Sequence, residues 1–174
     1  MPSWPLKNRN IKIPDPGQSG SFWENRGDRR HCGIDLYTKV GDDVYNIENG
    51  SVIDVGVMTS PELIGYWNVT YYVLVENQDG TFWKYGEMSN ILISINDSVV
   101  EGQKIGEVGL VLNPNKIDSN SPIYIQKLKR KNPSMLHLEL FSHDPIAVAK
   151  QYLGGNWFAS KKPLQLMNPA QRLL

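Results

Sequence analysis

Histidine is the residue best suited to bind a transition metal or to move a proton near neutral pH. The chain has three, His31, His137 and His143. His31 lies four residues before Asp35, with Gly33 between them, and imidazole and carboxylate are both common zinc ligands. In an extended segment their Cα atoms would be roughly 13 Å apart. A shared metal therefore requires a bend, which Gly33 can supply.

The second histidine of interest lies in the run Met135-Leu-His137-Leu-Glu139-Leu-Phe141. Alternate residues of a strand share a face, so the leucines would form a core face. We expect His137 and Glu139 to lie on the opposite, more open face, where an imidazole can bind a metal. His143, six residues beyond His137, is interpreted as part of a turn and helix cap, not as a site residue.

The elements that must position these residues are mostly strands. Short β-branched and aromatic runs, punctuated by glycine, indicate an all-β fold with an antiparallel sheet. Residues 69–75 and 81–85 flank an Asp-Gly turn signal and predict a hairpin. Further strands are predicted over 91–95, Lys104–Val108, Ile123–Leu128 and Met135–Phe141. One late helix is predicted over 144–154, capped by Asp144, ended by Gly154 and carrying the apolar stripe Ile146, Ala149, Tyr152 and Leu153.

Composition excludes several classes of protein. The 174 residues predict a single domain, and the net charge of zero argues against a nucleic-acid partner. The single cysteine, Cys32, excludes an internal disulfide, a four-cysteine zinc site and an iron–sulfur cluster, and it is interpreted as buried. No apolar run is long enough to span a membrane. Residues 1–15 lack the apolar core of a secretory signal, so we expect either a cytoplasmic protein or one whose export signal was removed.

Three sequence blocks, taken together, resemble the lysostaphin-type family of zinc peptidoglycan endopeptidases. The first, Arg26-Gly-Asp-Arg-Arg-His31-Cys-Gly-Ile-Asp35, is similar to the family's R-x-x-x-x-H-x-G-I/V-D. The second, Tyr85-Gly-Glu-Met-Ser89 followed by residues 100–109, is similar to Y-x-H-L-S and V-x-x-G-Q-x-I-G-x-V-G. The third, residues 135–139, is similar to H-L-H-F-E. The resemblance covers about residues 17–141.

The resemblance implies a duplicated hybrid motif fold with a groove, a zinc cofactor, and a peptide or peptidoglycan substrate at the cell envelope or outside the cell. The family's three protein zinc ligands correspond to His31, Asp35 and His137. Three ligands with one open position are typical of a catalytic zinc.

Two family histidines, thought to orient water and to stabilise the oxyanion, are replaced here by Glu87 and Met135. Methionine can neither transfer a proton nor donate a hydrogen bond, whereas a carboxylate can act as a base beside zinc. We therefore expect Glu87 as general base and Tyr85, or a nearby backbone N–H, as an oxyanion donor. The alternative is an inactive module that retains the metal and binds or regulates at the cell wall. Hydrolysis that a chelator abolishes would separate the two.

A second departure is an insertion over about residues 110–134, between the last glycine motif and the final histidine block. It holds a basic cluster, which is either a solvated loop or a docking patch for an anionic polymer: Lys127, Lys129, Arg130 and Lys131. The insertion is either a lid over the site or a surface excursion. Residues 144–174 are interpreted as a late helix and a tail. The oligomeric state is left open.

Overall fold

The computed structural model describes residues 3–131, 133–146 and 150–173. Within these ranges the chain is mostly β-structure, with two short α-helices, α1 (Ile123–Leu128) and α2 (Ala170–Leu173). The strands are β1 (Arg30–His31), β2 (Ile34–Tyr37), β3 (Asp43–Tyr45), β4 (Gly50–Thr59), β5 (Thr70–Asn77), β6 (Phe82–Ile91), β7 (Ser98–Val99), β8 (Lys104–Val108), β9 (Met135–Phe141), β10 (Tyr152–Leu153), β11 (Asn156–Trp157) and β12 (Leu166–Met167).

The main sheet is antiparallel and runs in the order β12-β9-β6-β5-β4-β7, with β2 also paired to β9 and β8 paired to both β3 and β6. A smaller antiparallel sheet, in the order β1-β11-β10, joins the start of the chain to its late part. The expected all-β fold with an antiparallel sheet is therefore confirmed.

Strand β9 lies in the interior of the main sheet, because β2 and β6 both pair with it along the same stretch. Its three leucines, Leu136, Leu138 and Leu140, are fully buried and belong to the main hydrophobic core. Burial of each such side chain contributes on the order of 1.5–3 kcal/mol, so β9 is held firmly in its register. A strand fixed in this way is a rigid platform for the histidine that it carries.

The predicted hairpin is confirmed as β5 and β6, with Gly80 at a φ of +79° in the turn that joins them. The strands predicted over Lys104–Val108 and Met135–Phe141 are confirmed as β8 and β9. The strand predicted over 91–95 is wrong beyond its first residue, because β6 ends at Ile91.

The prediction of a strand over Ile123–Leu128 is also wrong, because this segment is helix α1. Pro122 stands at its start, and Tyr124, Ile125 and Leu128 pack against a small apolar cluster around Trp67. Spacings of three and four residues place Tyr124 and Ile125 on the same helical side as Leu128. Packing of this face outweighs the strand preference of the two isoleucines.

The helix predicted over 144–154 is not formed by the residues that the structure describes there. Its stripe residue Ala149 lies outside the described residues, and Tyr152 and Leu153, the end of the predicted stripe, form strand β10. Gly154 and Gly155 follow with φ of +55° and +78°, and they turn the chain into β11. Pairing of β11 with both β10 and β1 therefore replaces the helix. Within the described ranges, no helix has the length and apolar character needed to cross a membrane.

Candidate metal centre and the cavity beside it

The structure brings His31, Asp35 and His137 together, as the sequence predicts. His31 Nε2 lies 3.0 Å from His137 Nδ1 and 3.1 Å from Asp35 Oδ1, and His137 Nδ1 lies 2.9 Å from the same oxygen. All three residues are buried. Two imidazole nitrogens and one carboxylate oxygen thus face a common point, which is a normal set of zinc ligands.

Strand pairing explains this convergence. Asp35 in β2 lies directly opposite His137 in β9, and Gly86 in β6 flanks His137 on the other side. His31 reaches the same point because the chain bends at Gly33, between the end of β1 and the start of β2. A Cβ on Gly33 would lie 2.1 Å from the Leu138 carbonyl oxygen, so only glycine allows this close approach to β9.

Outer hydrogen bonds fix which nitrogen of each ring faces inward. His31 Nδ1 lies 2.8 Å from the Ser21 carbonyl oxygen and must donate to it, since a carbonyl only accepts. His137 Nε2 lies 2.9 Å from a Glu139 carboxylate oxygen and donates in the same way. In the neutral rings the inward nitrogens therefore carry lone pairs. Together with Asp35 they form three acceptors at one point, an arrangement that only a cation or a proton can satisfy.

Arg26 holds the second oxygen of the candidate ligand Asp35. Its guanidinium lies 3.1 Å from Asp35 Oδ2 and also contacts Glu24 and Asn156, each at 3.1 Å. The ion pair is almost excluded from water, since the two side chains are 16% and 4% exposed. Arg26 thus leaves Oδ1 of Asp35 directed at the two histidines.

The pKa values follow from this arrangement. Burial would raise the pKa of Asp35, but the charge of His31 and the hydrogen bonds of both histidines hold it well below its usual range. Burial opposes protonation of His137, but the hydrogen bonds to Asp35 and Glu139 prevail and raise its pKa to about 9. Burial, followed by the charge of Arg26, lowers the pKa of His31. Without a metal, the proton shared at this point therefore resides on His137.

The expectation that His137 and Glu139 lie on an open strand face is wrong, because both are buried, at 2% and 0% exposed. The segment around β10 and β11 covers this face. Tyr152 donates to Glu139 at 2.7 Å, and the buried Lys84 ammonium contacts the Tyr152 hydroxyl. The charge of Lys84 and the hydrogen bond of His137 outweigh burial and lower the pKa of Glu139 to about 2. Glu139 therefore stays ionised and orients His137.

A cavity of about 350 Å³ opens beside the three convergent residues, and Asp35 and His137 form part of its lining. Glu87 and Met135, the two positions where the family resemblance implies histidines, are half-buried and line the same cavity. Burial, followed by the charge of Asp35, raises the pKa of Glu87 to about 8. The structure thus places a carboxyl group that can exchange a proton near neutral pH in the same cavity as Asp35 and His137.

Tyr85, predicted as an oxyanion donor, lies in the core instead. It is fully buried, donates to Asn46 Oδ1 at 2.9 Å and accepts from the Ile47 N–H at 2.8 Å. The alternation of β6 breaks at Glu87, whose φ is +61°, and this turns Glu87 toward the cavity while Tyr85 remains in the core. The predicted role of Tyr85 conflicts with this position.

None of Arg26, Lys84 and Tyr152 is predicted from the sequence to be a positioning residue at the site. The role of Arg26 could have been predicted, because Arg26 opens the block that contains His31 and Asp35. A buried carboxylate such as that of Asp35 needs a cation to compensate its charge. Nothing in the sequence marks Lys84 or Tyr152, because their contact with Glu139 depends on the pairing of β9 with β6 and on the late segment that covers it.

Solved structures share this fold at low sequence identity. A catalytic domain of the antimicrobial peptidase lysostaphin from Staphylococcus simulans is 17% identical, with a TM-score of 0.55 over 94% of this chain and 92% of that one. A zinc-containing peptidase from Vibrio cholerae is 22% identical, with a TM-score of 0.51 over 79% of this chain. A chain of the SpoIIIAH–SpoIIQ complex is 17% identical, with a TM-score of 0.56 over 99% of both chains.

The chain spans only 35% of the Vibrio cholerae peptidase and 44% of the lysostaphin chain studied in solution. No curated protein sequence matches it. The model of peptidase family M23, in contrast, matches residues 29–143, which include all three convergent residues and the cavity-lining Glu87 and Met135. That match covers well over half of the chain, and the chain therefore belongs to peptidase family M23.

Proposed function

We propose that this chain is a zinc-dependent endopeptidase that hydrolyses peptide cross-links of peptidoglycan, or similar peptides, at the cell envelope or outside the cell. One observation supports this most: three buried acceptor atoms within 3.1 Å of one another adjoin a cavity that also holds the carboxyl group of Glu87. A cation site beside an accessible base is the arrangement that metal-assisted hydrolysis requires.

His31, Asp35 and His137 would hold the zinc ion. The fit rests on the donor set, because both outer nitrogens are engaged as donors and, in the neutral rings, both inward nitrogens are left as acceptors. When bound, zinc polarises a peptide carbonyl and makes water more acidic. Arg26 and Glu139 are positioning residues: Arg26 orients Asp35, and Glu139 orients His137. Such outer partners commonly change metal affinity by about 10–100-fold.

Glu87 is the residue that we assign to proton transfer. Its carboxyl group lines the cavity with Asp35 and His137, and its raised pKa gives it an affinity for protons suited to neutral pH. In this role it accepts a proton from the attacking water and returns it to the leaving amine. Met135 lines the same cavity but can do neither.

The test is hydrolysis of cross-linked peptidoglycan and of short peptides, with and without a chelator. We expect cleavage by the zinc-loaded chain, loss of cleavage with chelator, and recovery when zinc is restored. His137→Ala should lose both zinc and cleavage, and Glu87→Gln should lose cleavage while it retains zinc. His143→Ala is the matched control, because His143 contacts Ser142 and not the cavity.

The second candidate function is an inactive module that binds or regulates at the cell wall. The observation that favours it is that Met135, which can transfer no proton, lines the cavity at a position where the resemblance implies a histidine. This function gains support if zinc binds with one-to-one stoichiometry while no peptide is cut, and if Glu87→Gln changes nothing.

A further inference from the structure

The segment of residues 110–131, here called the wall segment, forms one side of the cavity beside the three convergent residues. Four of its apolar residues line that cavity together with Trp67 from the body of the domain: Val111, Leu112, Ile125 and Leu128. Along this stretch the insertion is therefore not merely a surface excursion. It supplies an apolar surface next to the candidate reaction centre.

The wall segment is built into the domain. Leu112 pairs with Trp67 through a β-bridge, and the Asn68 side chain donates to the carbonyl oxygens of Leu110 and Leu112. Leu112, Ile117 and Ile125 are buried in a cluster with Tyr66 and Trp67. Because these contacts hold it in place, the apolar side of the cavity is formed before any ligand arrives.

The wall segment also contacts the residue that positions Asp35. The Tyr124 ring lies 6.0 Å from the guanidinium carbon of Arg26 and 5.6 Å from that of Arg29. Cation–π contacts of this kind are attractive, and the attraction is stronger where water is excluded. A ligand held against α1 would therefore lie close to the group that orients Asp35.

The wall segment is mostly basic, with five lysine or arginine residues and one acidic residue, Asp118. Lys127 and Lys131 line the cavity and are exposed, whereas Lys129 is engaged with the Ile117 carbonyl at 2.7 Å. Among the residues that the structure describes, neither Lys127 nor Lys131 makes an ion pair. Arg26 is already paired with Glu24 and Asp35, so the two lysines are the cations left for a ligand.

We propose that the wall segment and Trp67 form a side-chain pocket that selects acidic peptides with a bulky apolar side chain over peptides made of glycine. The pocket's volume, about 350 Å³, lies within the range of small-ligand sites, roughly 300–1,000 Å³. A glycine peptide would leave the apolar wall wet, whereas an apolar side chain would displace that water. The carboxylate of the peptide would pair with Lys127 and Lys131. This inference rests on the proposed function, since it names the substrate class of that same site.

The first experiment titrates the zinc-loaded chain with three peptides: acetyl-Gly-Leu-Glu-Gly-amide, its Leu-to-Gly analogue and its Glu-to-Gln analogue. We expect the first to bind about tenfold more tightly than the glycine analogue, from burial of one leucine side chain. It should bind about three- to tenfold more tightly than the glutamine analogue, and this difference should shrink in high salt. Peptide integrity is checked by mass spectrometry, and a KM ratio replaces the Kd ratio for any peptide that is cut.

The second experiment uses variants of the wall. Leu128→Ala should reduce the preference for leucine, whereas Leu164→Ala, at an apolar residue that is 85% exposed, should not. The double variant Lys127→Gln/Lys131→Gln should abolish the preference for glutamate, whereas Lys12→Gln/Lys161→Gln should retain it. Both control lysines are exposed and lie outside the cavity lining. The peptide comparison on the unmodified chain keeps the test valid even if Leu128→Ala disturbs α1.

Equal affinity for the leucine and glycine peptides, or a glutamate preference that survives loss of both lysines, would overturn the inference. Binding and cleavage separate the two proposals. Chelator-sensitive cleavage without a preference for leucine would contradict the proposed pocket and support the endopeptidase function. Selective binding of the acidic leucine peptide without cleavage of any substrate supports the pocket and removes the endopeptidase function.

Discussion

Asp35 and His137 lie directly opposite each other on adjacent antiparallel strands, and their facing atoms, Oδ1 and Nδ1, are 2.9 Å apart. Main-chain pairing of β2 with β9 sets this distance, so two of the three candidate ligands are placed by the sheet itself. His31 joins them through the bend at Gly33. The centre therefore depends on few flexible elements, and changes in its surroundings should have separable effects.

Gly155→Ala should displace His137, because Gly155 lies in the late segment that covers this histidine. A Cβ at this position would lie 2.6 Å from His137 Nε2, and the backbone has a φ of +78°. Gly80 is the matched control, since its φ is +79° and a Cβ there meets nothing within 4 Å. We expect both alanine variants to lose about 1–2 kcal/mol of unfolding free energy from the backbone alone.

Only Gly155→Ala should lose more than this amount, because the added methyl group displaces His137. We also expect its zinc affinity to fall at least about tenfold, as for the loss of an outer partner of a ligand. Urea unfolding and calorimetric zinc titration measure the two effects. Equal behaviour of the two variants would show that the late segment does not press on His137.

Arg26→Gln should weaken zinc binding without removing a ligand. The guanidinium holds Oδ2 of Asp35 at 3.1 Å, so its loss frees the carboxylate to rotate. We expect zinc affinity to fall about 10–100-fold, with the one-to-one stoichiometry retained. Arg9→Gln, at an exposed position, is the control and should leave the affinity unchanged. Loss of stoichiometric binding in Arg26→Gln would instead assign Arg26 to folding of the site.

The affinity for zinc should increase as the pH rises. The pKa of His137 in the metal-free chain is raised to about 9, chiefly by the Asp35 and Glu139 hydrogen bonds acting against burial, so at neutral pH one proton must leave when zinc binds. We expect about a tenfold gain in affinity per pH unit below that pKa. Titrations in two buffers with different ionisation enthalpies would count the proton. Binding that releases none would contradict this protonation state.

The same raised pKa affects the stability of the metal-free chain. For a histidine the stabilisation is fully present below the ordinary value of 6.5 and is lost as the pH rises through about 9. Glu87 acts in the same direction: its pKa is raised from 4.5 to about 8, so the folded state loses stability as the pH rises between these two values. Both groups therefore make the metal-free chain less stable in alkaline solution.

Glu87→Gln should remove the part of this pH-dependent loss of stability that is due to Glu87. Between about pH 5 and pH 8 we expect the unmodified metal-free chain to lose on the order of 3–4 kcal/mol more than the variant, since each pKa unit corresponds to about 1.4 kcal/mol. Glu101→Gln, at an exposed position, should follow the unmodified chain. Urea unfolding in the presence of chelator gives the values. Parallel pH curves for the Glu87→Gln and unmodified chains would mean that Glu87 is solvated.

Met135→His should increase hydrolysis if the chain is an endopeptidase limited by its proton transfer. Met135 lines the cavity with Asp35, His137 and Glu87, so an imidazole there can reach a substrate bound in that cavity. We expect a gain of about 10²-fold in kcat, in line with general acid–base catalysis. Met135→Gln separates polarity from proton transfer and should give little gain. Equal gains in both variants would contradict a proton-transfer role at this position.

Much of the centre could be predicted from sequence because its signals are local. His31, Gly33 and Asp35 form one short block, and alternation along β9 separates its leucines from His137. The environment of that strand could not be predicted in the same way. Alternation tells which residues share a face, but not that a late segment covers the face carrying His137.

The break in strand β6 between Tyr85 and Glu87 shows where period-two reasoning fails. Tyr85 and Glu87 would share a face on a regular strand, yet the positive φ at Glu87 sends them to opposite sides. Only the three-dimensional packing decides such a break, because glutamate has no preference for that backbone region. The isoleucines of α1 similarly suggested a strand, and the apolar cluster around Trp67 overrode that local preference.

Paired main chain holds Asp35 and His137, whereas the cavity's apolar side comes from an inserted stretch with its own small core. The inserted stretch can therefore change in sequence independently of the paired strands. Substitutions in the insert would alter the lining of the cavity and leave the arrangement of Asp35 and His137 unchanged. Related chains could therefore acquire different peptide preferences through the insert while His31, Asp35 and His137 keep their positions.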